Sequence, residues 1–539
     1  MANKGIFKGR TLSVVNDLSL DEQLYLFEKT KELKEKIANN EDTSQFQINN
    51  KNLGIYLVFL EDSTRTKESF RNAALFHNTK MSIFDSSTSS FNKKESYADT
   101  FRTLGGYSDY SIFIIRSKLE GVCKWLSSSM SDFALRNNFE KPAFINAGDG
   151  KHEHPTQELL DEFSFYEQKN WNRDHIHIAL IGDLFHGRTT HSKANGLKVF
   201  KNVEVDLIAP NELKMPDQYI DKMKNNGYNI RLFESLEEYL SQKKLAESWY
   251  FTRLQLERMG EDVREKSNSL INSVTFKKSY LDKIDSDIKF YHPLPRHKEN
   301  PVIPVFLDKT SLNGWEKQSI NGYYTRIIQI AMLGGKLGDD FNGELKQETE
   351  ENEKFIHEKK ISADTHKAKA PVHKIGLIPI KNGVVIDHIG KGDEIDEIWD
   401  HINEIRKIIK LNVIGSQGVF LSKKTNLNKG VIAIPNLDEL DSRKMKKLAA
   451  IAPGCTLNII SNHCILKKFR IKLPPKIYNY TDICCKNDAC ISRPEHKEDA
   501  VSIFSHLGEN KFTCYYCEKE HEYKEIWNLK LKSKQITFK

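Results

Sequence analysis

Ser63-Thr64-Arg65-Thr66 stands where an apolar run, Ile55 to Leu60, turns into a stretch whose apolar residues Phe70, Ala73, Ala74 and Phe76 recur at helical spacing. A strand-to-helix turn gathers backbone N–H groups with no partner inside the helix, at the positive end of the helix dipole. Two threonine hydroxyls and a guanidinium added there make a place for a phosphate. A capped helix whose arginine faces water accounts for these residues equally well. Other polar residues follow strand-like runs in the same way. Arg116 ends Ser111-Ile112-Phe113-Ile114-Ile115, and Gly148-Asp149-Gly150 and His154-Pro155-Thr156-Gln157 follow Asn146. Gly187-Arg188-Thr189, Thr252-Arg253-Leu254-Gln255 and His292-Pro293-Leu294-Pro295-Arg296 complete the series. Any one of these arginines reads as a surface ion pair, and any one histidine as a satisfied structural residue. Their recurrence at strand ends is harder to dismiss, because a parallel sheet brings those ends together.

A second constellation lies near the end of the chain. Cys485 and Cys490 have four residues between them, Cys514 and Cys517 two, with 23 residues between the pairs. Two short-spaced thiol pairs suit a tetrahedral four-thiolate zinc site on two knuckles. Four protein thiolates leave no position for water, so the metal is expected to be structural. Cys484 is the alternative to Cys485, although neighbours on an extended chain point opposite ways. Two disulfides or four buried thiols are the plainer readings. Cys455 and Cys464 read as core.

These residues need scaffolds. A chain of 539 residues is too long for one core and implies roughly three domains. The net charge of +7 is modest for that length, and Lys is interspersed with Glu and Asp, which does not argue for nucleic acid. There is no run of 18 apolar residues and no N-terminal pattern of basic, apolar and small-residue segments, so no membrane is implied and the cytoplasm is the expected compartment. Ser19 and Glu22 form a capping box that opens a helix to about Ile37. Strands are predicted at 55–60, 109–115, 141–146, 175–182, 202–208, 247–252 and 288–291, and helices at 67–77, 94–104, 155–167, 189–200, 235–243 and 319–333. Repeated β then α implies two doubly wound parallel-sheet lobes, an α/β arrangement covered on both faces. Residues 337–372 are rich in Glu and Lys and read as a linker, with a short helix near 348–359. Beyond it come a strand over 375–380 and 384–389, interrupted at Asn382-Gly383, a helix over 393–409, strands at 411–421 and 429–434, a helix at 437–451 and a strand at 456–460 that turns into another. That order is the α+β ferredoxin-like one. The cysteine region would form a small zinc-ribbon-like β domain.

Taken together, these motifs resemble aspartate carbamoyltransferase. Residues 1 to about 340 are similar to its catalytic chain, on Ser63-Thr64-Arg65-Thr66, His154-Pro155-Thr156-Gln157, Gly187-Arg188-Thr189 with His191-Ser192, Thr252-Arg253-Leu254-Gln255 and His292-Pro293-Leu294-Pro295-Arg296. Residues from about 373 are similar to its regulatory chain, on Val385-Ile386-Asp387-His388-Ile389, Ala452-Pro453, Asn458 and the four cysteines. The resemblance implies a fusion of the two chains. It divides the sequence into a carbamoyl-phosphate lobe (1–152), an aspartate lobe (153–336) whose last helix packs back on the first, the linker (337–372), a nucleotide-binding-like domain (373–472) and a zinc domain (473–539).

The reaction so implied joins carbamoyl phosphate and L-aspartate into N-carbamoyl-L-aspartate and phosphate, an early step of pyrimidine biosynthesis. By resemblance Ser63, Thr64, Arg65 and Thr66 hold the phosphate, Thr66, Arg116 and His154 bond the carbonyl oxygen, and Gln157 contacts the carbamoyl amide. Arg188, Arg253, Gln255, Pro293 and Leu294 receive aspartate. The family also inserts a loop from a neighbouring chain, here Ser89-Ser90-Phe91-Asn92-Lys93-Lys94-Glu95-Ser96, with Ser89 and Lys93 as the matching pair. A Lys at position 94 replaces the usual Gly, which leaves Lys93 and Lys94 as alternatives. A shared site implies a catalytic trimer, with the regulatory regions as the means of any larger assembly. Arg116 is followed by Ser117 where the family has His and Pro. In the regulatory part Asp387, His388 and Lys468 match the nucleotide pocket, but its other lysine is Ala433 here, so nucleotide binding is expected to be weak and assembly the main role. Zn2+ is the implied cofactor, one per chain. The rivals are a carbamoyltransferase for another acceptor such as ornithine, which would not need the Arg188 and Arg253 pair, and a non-catalytic scaffold of the same fold.

Overall fold

Runs that are apolar on both faces can only be central strands of a covered sheet, and such runs set the first part of the chain. The computed structural model describes residues 5–85, 95–255, 266–347, 354–360, 377–409, 415–422, 425–480 and 483–527. They belong to two units: Met1–Gln347 with Cys484–Ala500 and Tyr516–Lys519, and Glu348–Ile483 with Val501–Tyr515 and Glu520–Lys539.

In the first unit the chain runs β1 (Thr11–Leu12), α1 (Leu20–Ala38), β2 (Leu53–Phe59), α2 (Thr64–Phe76), β3 (Lys80–Asp85), α3 (Tyr97–Gly105), β4 (Tyr110–Ser117), α4 (Val122–Asn137) and β5 (Ala143–Asp149). These strands form a parallel sheet in the order β1-β5-β4-β2-β3. Then follow α5 (Pro155–Gln168), β6 (His175–Ile181), α6 (Arg188–Gly196), β7 (Asn202–Ile208), α7 (Asp217–Asn225), β8 (Asn229–Phe233), α8 (Leu236–Tyr239), β9 (Ser248–Phe251), α9 (Ser267–Val274), β10 (Lys289–Tyr291) and α10 (Trp315–Leu333). Their sheet is also parallel, in the order β10-β9-β6-β7-β8. Every residue of β2, β4, β5 and β9 is buried. The edge strands β3 and β8 are partly exposed and carry no clean apolar run, which hid them from the sequence reading. The serine-rich α4 escaped it for the same reason. α10 lies against α2, where His77 Nε2 is 3.0 Å from the Ile327 carbonyl oxygen.

The segment read as linker starts out ordered. Residues 337–347 follow α1: the Gly338 N–H donates to the Tyr25 hydroxyl at 3.0 Å, and the Phe341 ring meets Phe7 and Tyr25 edge-on. The Glu344 N–H donates to Asp21 and the Lys346 N–H to Glu22, carboxylates of the first helical turn. Residues 484–500 and 516–519 also belong to this unit. The Glu120 N–H donates to the Ala489 carbonyl at 2.7 Å, the Ile491 N–H to the Glu120 carbonyl at 3.0 Å, and the Asn487 amide to the Glu120 carboxylate. Gly121, at φ +81°, leaves no room for a Cβ, which would lie 2.6 Å from the Tyr516 backbone.

In the second unit, β11 (Ile356–Glu358), β12 (Gly383–Ile389), α11 (Ile395–Ile409), β13 (Ser416–Leu421), β14 (Asn428–Pro435), α12 (Ser442–Ile451), β15 (Thr456–Ser461) and β16 (Cys464–Ile471) give an antiparallel sheet, β11-β16-β15-β12-β14-β13. Its β15-β12-β14-β13 part is the ferredoxin-like arrangement. Of the helix expected near 348–359, residues 348–353 lie outside the described residues, and over the described part β11 takes its place: the open edge of β16 offers backbone partners, and pairing there satisfies both strands. A smaller antiparallel sheet joins β17 (Lys476–Tyr478), β18 (Ile503–Gly508), β19 (Lys511–Cys514) and β20 (Glu520–Glu522).

Candidate active site and metal centre

Ser63 is the N-cap residue of α2, in extended backbone, and its side chain makes no capping bond. The capped-helix reading therefore does not apply, and the first-turn N–H groups are not taken up by it. Thr66 is buried and Arg65 exposed. Arg116, at the end of β4, donates from Nη1 to the Ala147 carbonyl at 3.1 Å and lies 3.2 Å from the Glu61 carboxylate through Nη2. Arg188, the first residue of α6, donates to the Gly150 carbonyl at 2.8 Å and lies 3.8 Å from the same Glu61 oxygen. Gly148 lets the two guanidiniums come this close. A Cβ there would lie 2.8 Å from Arg116 Nη1 and 3.2 Å from Arg188 Nη2, and its φ of +113° suits glycine alone.

His154 is the N-cap residue of α5, with Pro155 at the first helical position. Burial, with Arg188, Arg116 and Arg326 behind it, holds its imidazole well below the ordinary value and therefore neutral. The Thr156 hydroxyl is 3.3 Å from His154 Nδ1. The loop before it is fixed by Asp149, which accepts from the Gly121 and Glu153 N–H groups and from Asn146. Arg253 follows β9. Gln255 donates from its side chain to the His186 carbonyl at 3.0 Å and from its backbone to Asp183 at 3.1 Å. Beyond β10, Leu294 has φ +54° and precedes a cis Leu294–Pro295 bond. The Leu294 N–H donates to His292 Nδ1 at 2.7 Å. Burial, with Arg296, Arg65 and Arg253, pushes His292 down to about 3. Arg296 itself pairs with Asp308 at 2.6 Å.

The sulfurs of Cys485, Cys490, Cys514 and Cys517 lie within 4.8 Å of one another and all four residues are buried. The 3.6 Å between Cys485 Sγ and Cys517 Sγ is far beyond a disulfide bond and close to the separation of about 3.8 Å expected for thiolates on one tetrahedral zinc. The donor set thus suits a thiophilic metal. All eight cysteines are free, which removes the disulfide reading. Cys484 is not among the four; its Sγ lies 3.3 Å from the Cys485 carbonyl oxygen and 3.6 Å from Arg493. In the second unit a cleft of about 660 Å³ is lined by Lys359, Lys360, His388, Lys391, Lys468 and Arg470 among others. Asp387 pairs with Lys429 at 2.7 Å, and Ala433 is buried in β14.

Family comparisons agree with this geometry. Residues 10–167 match the aspartate/ornithine carbamoyltransferase carbamoyl-P binding domain and 174–327 the corresponding Asp/Orn binding domain. Residues 375–472 match the allosteric domain, and 475–527 the metal binding domain, of the aspartate carbamoyltransferase regulatory chain. Protein PyrBI of Thermotoga maritima is 54% identical over 97% of this chain and 99% of its own length. Protein PyrBI of Treponema denticola is 52% identical over 98% and 100%. The chain belongs to the PyrBI family. It is an aspartate carbamoyltransferase catalytic region fused to a metal-binding regulatory region. A crystal structure of aspartate transcarbamoylase from Trypanosoma cruzi in complex with N-(phosphonacetyl)-L-aspartic acid is 28% identical, with a TM-score of 0.51, over 61% of this chain and 97% of that one.

Within this aspartate carbamoyltransferase, Ser63 to Thr66, Arg116, His154, Gln157, Arg188, Arg253, Gln255, Pro293 and Leu294 all lie at or just beyond strand ends of the first unit. Ser89 and Lys93 fall outside the described residues. The sequence reading passed over Glu61, although it sits two residues before Ser63, because one glutamate among loop residues carries no pattern. Arg326 was hidden inside a helix. It is fully buried near Arg116, and burial first, with Arg116 adding to it, pushes it down to about 9.

α2, which carries the Ser63 turn, ends at His77, whose ring burial pushes down to about 4. A group depressed in this way takes its proton mainly in the unfolded chain, so stability falls as pH drops from about 6.5 toward 4. A His77→Gln variant should therefore lose about 2 kcal/mol less than the parent between pH 6.5 and pH 5, read from urea unfolding at the two pH values. Equal losses would show that the ring takes up its proton alike in the folded and unfolded chain.

Proposed function

We propose that Ser63, Thr64, Arg65 and Thr66 hold the phosphate of carbamoyl phosphate, and that Thr66, Arg116 and His154 donate to its carbonyl oxygen. Gln157 takes the carbamoyl amide, and Arg188, Arg253, Gln255 and the Pro293-Leu294 backbone take the two carboxylates of aspartate. Ser89 and Lys93 complete the site from a neighbouring copy in a catalytic trimer. The observation that carries this reading is the approach of Arg116 and Arg188 over Gly148, beside a His154 kept neutral. Two guanidinium forks that share the single carboxylate of Glu61 carry a net positive charge toward which an anionic substrate is drawn. The aspartate amine attacks the carbamoyl carbon, negative charge gathers on the carbonyl oxygen, and fixed donors stabilise it there. With the Thr156 hydroxyl against Nδ1, the Nε2 of His154 is the nitrogen left to donate. The departing phosphate accepts the amine proton, so no protein base is needed. Replacing Arg65 by Ala should lower kcat by about 10²–10³-fold in an assay of carbamoyl aspartate formation, with ornithine inactive as acceptor in the parent. Full turnover by the variant would remove the assignment.

The metal held by Cys485, Cys490, Cys514 and Cys517 is proposed to be Zn2+, structural, one per chain. With all four positions taken by thiolates it supplies no reactive water. Metal analysis of the purified chain should give about one zinc per chain, lost in Cys514→Ser together with the ordered structure of the terminal region. Retention of zinc by that variant would point to a different ligand set. The five-part division of the chain given by the family resemblance, and a cytoplasmic location, are proposed on the same resemblance; no described helix is long and apolar enough to cross a membrane.

A second role is favoured by the basic cleft of the second unit. His388 and Lys468 border it together with Lys359, Lys360, Lys391 and Arg470, a set suited to a nucleoside polyphosphate. These cations stand against the loss at Ala433, on which weak binding and a mainly assembling role were expected. Titration of the full chain with CTP and ATP should give heat that Lys468→Ala weakens about tenfold or more. Absence of binding in the parent would leave this region to assembly.

A further inference from the structure

Behind the proposed substrate site lies a cluster of charges with no access to water. Lys193, Asp161 and Glu162 are fully buried, Glu158 nearly so, and the ammonium lies 2.8 Å from Asp161 Oδ2 and 2.5 Å from Glu158 Oε2. Burial acts to lower the Lys193 ammonium, but the carboxylates of Asp161, Glu158 and Glu162 outweigh it and hold the group charged. Burial and the Glu158 carboxylate push Glu162 well up. Four ionisable groups in a dry core are poor value for stability, since apolar side chains of similar volume do as well.

The hydrogen bonds leaving the cluster indicate what it does. Asp161 Oδ1 accepts from Gln157 Nε2 at 2.8 Å, one helical turn earlier, and from Gln318 Nε2 at 2.6 Å. Gln318 Oε1 in turn accepts the His292 N–H at 2.9 Å, and the His292 ring accepts the Leu294 N–H at 2.7 Å. An ionised carboxylate only accepts, so it obliges both glutamines to turn their NH2 groups toward it. The Oε1 of Gln157 is then the end presented elsewhere, and an acceptor is what an NH2 group of a substrate requires. The Oε1 of Gln318 is likewise committed to the loop that carries Pro293 and Leu294.

We propose that Asp161, held opposite Lys193, is a positioning residue that fixes the amide orientation of Gln157 and, through Gln318, the His292–Leu294 loop, so that one buried carboxylate sets the carbamoyl and aspartate half-sites together. The proposal rests on the assignment of Gln157 to the carbamoyl amide. It makes Asp161 and Lys193 determinants of substrate choice: they keep an acceptor facing the NH2 that distinguishes carbamoyl phosphate from acetyl phosphate, which has a methyl group there.

The test measures binding of carbamoyl phosphate and acetyl phosphate to the full chain by isothermal titration, and KM for aspartate by turnover. The parent should prefer carbamoyl phosphate by about tenfold, and Gln157→Leu should bring the two ligands near parity. Asp161→Asn should do the same. Lys193 has only donors, so it takes the Asn oxygen and turns the Asn NH2 toward the glutamines, which must then turn over. Gln318 loses its acceptor for the His292 N–H, and KM for aspartate should rise about tenfold. Lys193→Met, of similar length without charge, should lower the preference in the same direction and serves if Asp161→Asn does not fold. A merely structural role would lower Tm and leave the preference alone. If folded Asp161→Asn or Lys193→Met keeps the parental preference while Gln157→Leu loses it, the positioning role is wrong and the assignment of Gln157 stands. If Gln157→Leu keeps the preference, the assignment fails and this proposal falls with it.

Discussion

Guanidinium groups do not gather unaided, and the site depends on forcing them together. Two like charges about 4 Å apart repel by about 4 kcal/mol at the effective dielectric of a protein surface. Arg116 and Arg188 are held against that repulsion by one shared carboxylate, Glu61, and by the carbonyl oxygens of Ala147 and Gly150. The surplus of positive charge spreads into its surroundings. It adds to burial in keeping His154 neutral and in lowering Arg326, while Arg296, Arg65 and Arg253 act in the same way on His292. In the proposed site, a substrate bringing a phosphate and a second one bringing two carboxylates meet this positive surplus. In that reading binding and catalysis draw on the same electrostatic source, which requires no reorganisation at the moment of reaction.

Backbone geometry makes this concentration of charge attainable. Two parallel sheets deliver Arg116, the His154 loop, Arg188, Arg253 and the His292 loop from the same ends of their strands, so residues remote in sequence need no long excursions to meet. The loop before His154 carries the greatest demand. Asp149 satisfies four neighbours within it, Gly148 leaves room for the guanidiniums, and Glu120 ties it to the cysteine knuckle by accepting the Lys151 N–H at 2.9 Å while meeting Asn487 and the backbone of residues 489–491. The knuckle is therefore part of the scaffold that holds the His154 loop.

What could be read in the sequence follows from which interactions leave a local pattern. β2, β4 and β6 announce themselves because burial on both faces demands continuous apolar runs, and the strand-end motifs announce themselves because several rare residue types recur in one position. The four-cysteine cluster was legible from spacing alone, while the choice of Cys485 over Cys484 needed the side-chain directions. Glu61, Asp161, Lys193 and Gln318 were not legible. Each is a common residue in an unremarkable context, and its importance comes from a partner 32 to 157 residues away. β3 and β8 failed for a related reason, since an edge strand is specified by its neighbour's free backbone more than by its own side chains.

The segment joining the two halves of the chain shows how fusion alters a site without touching its original residues. At one end its first residues, to position 347, are fastened to α1 by their own backbone N–H groups, which donate to carboxylates that the acidic first turn of that helix would otherwise turn to water. At the other, β11 extends the sheet past β16, pairing Ile356 with Ile471 and Glu358 with Phe469. That pairing brings Lys359 and Lys360 to the rim of the basic cleft, where the Lys359 N–H donates to the Lys468 carbonyl at 2.8 Å. Two lysines arrive from outside the regulatory domain while Ala433 leaves a cation out of β14. Charge at such a cleft is set by the sum over its rim, not by one position, so a connecting strand can replace what a sheet residue gives up. The local cost is small because an edge strand requires only backbone complementarity, and the gain is a cleft whose electrostatics depend on the connection itself.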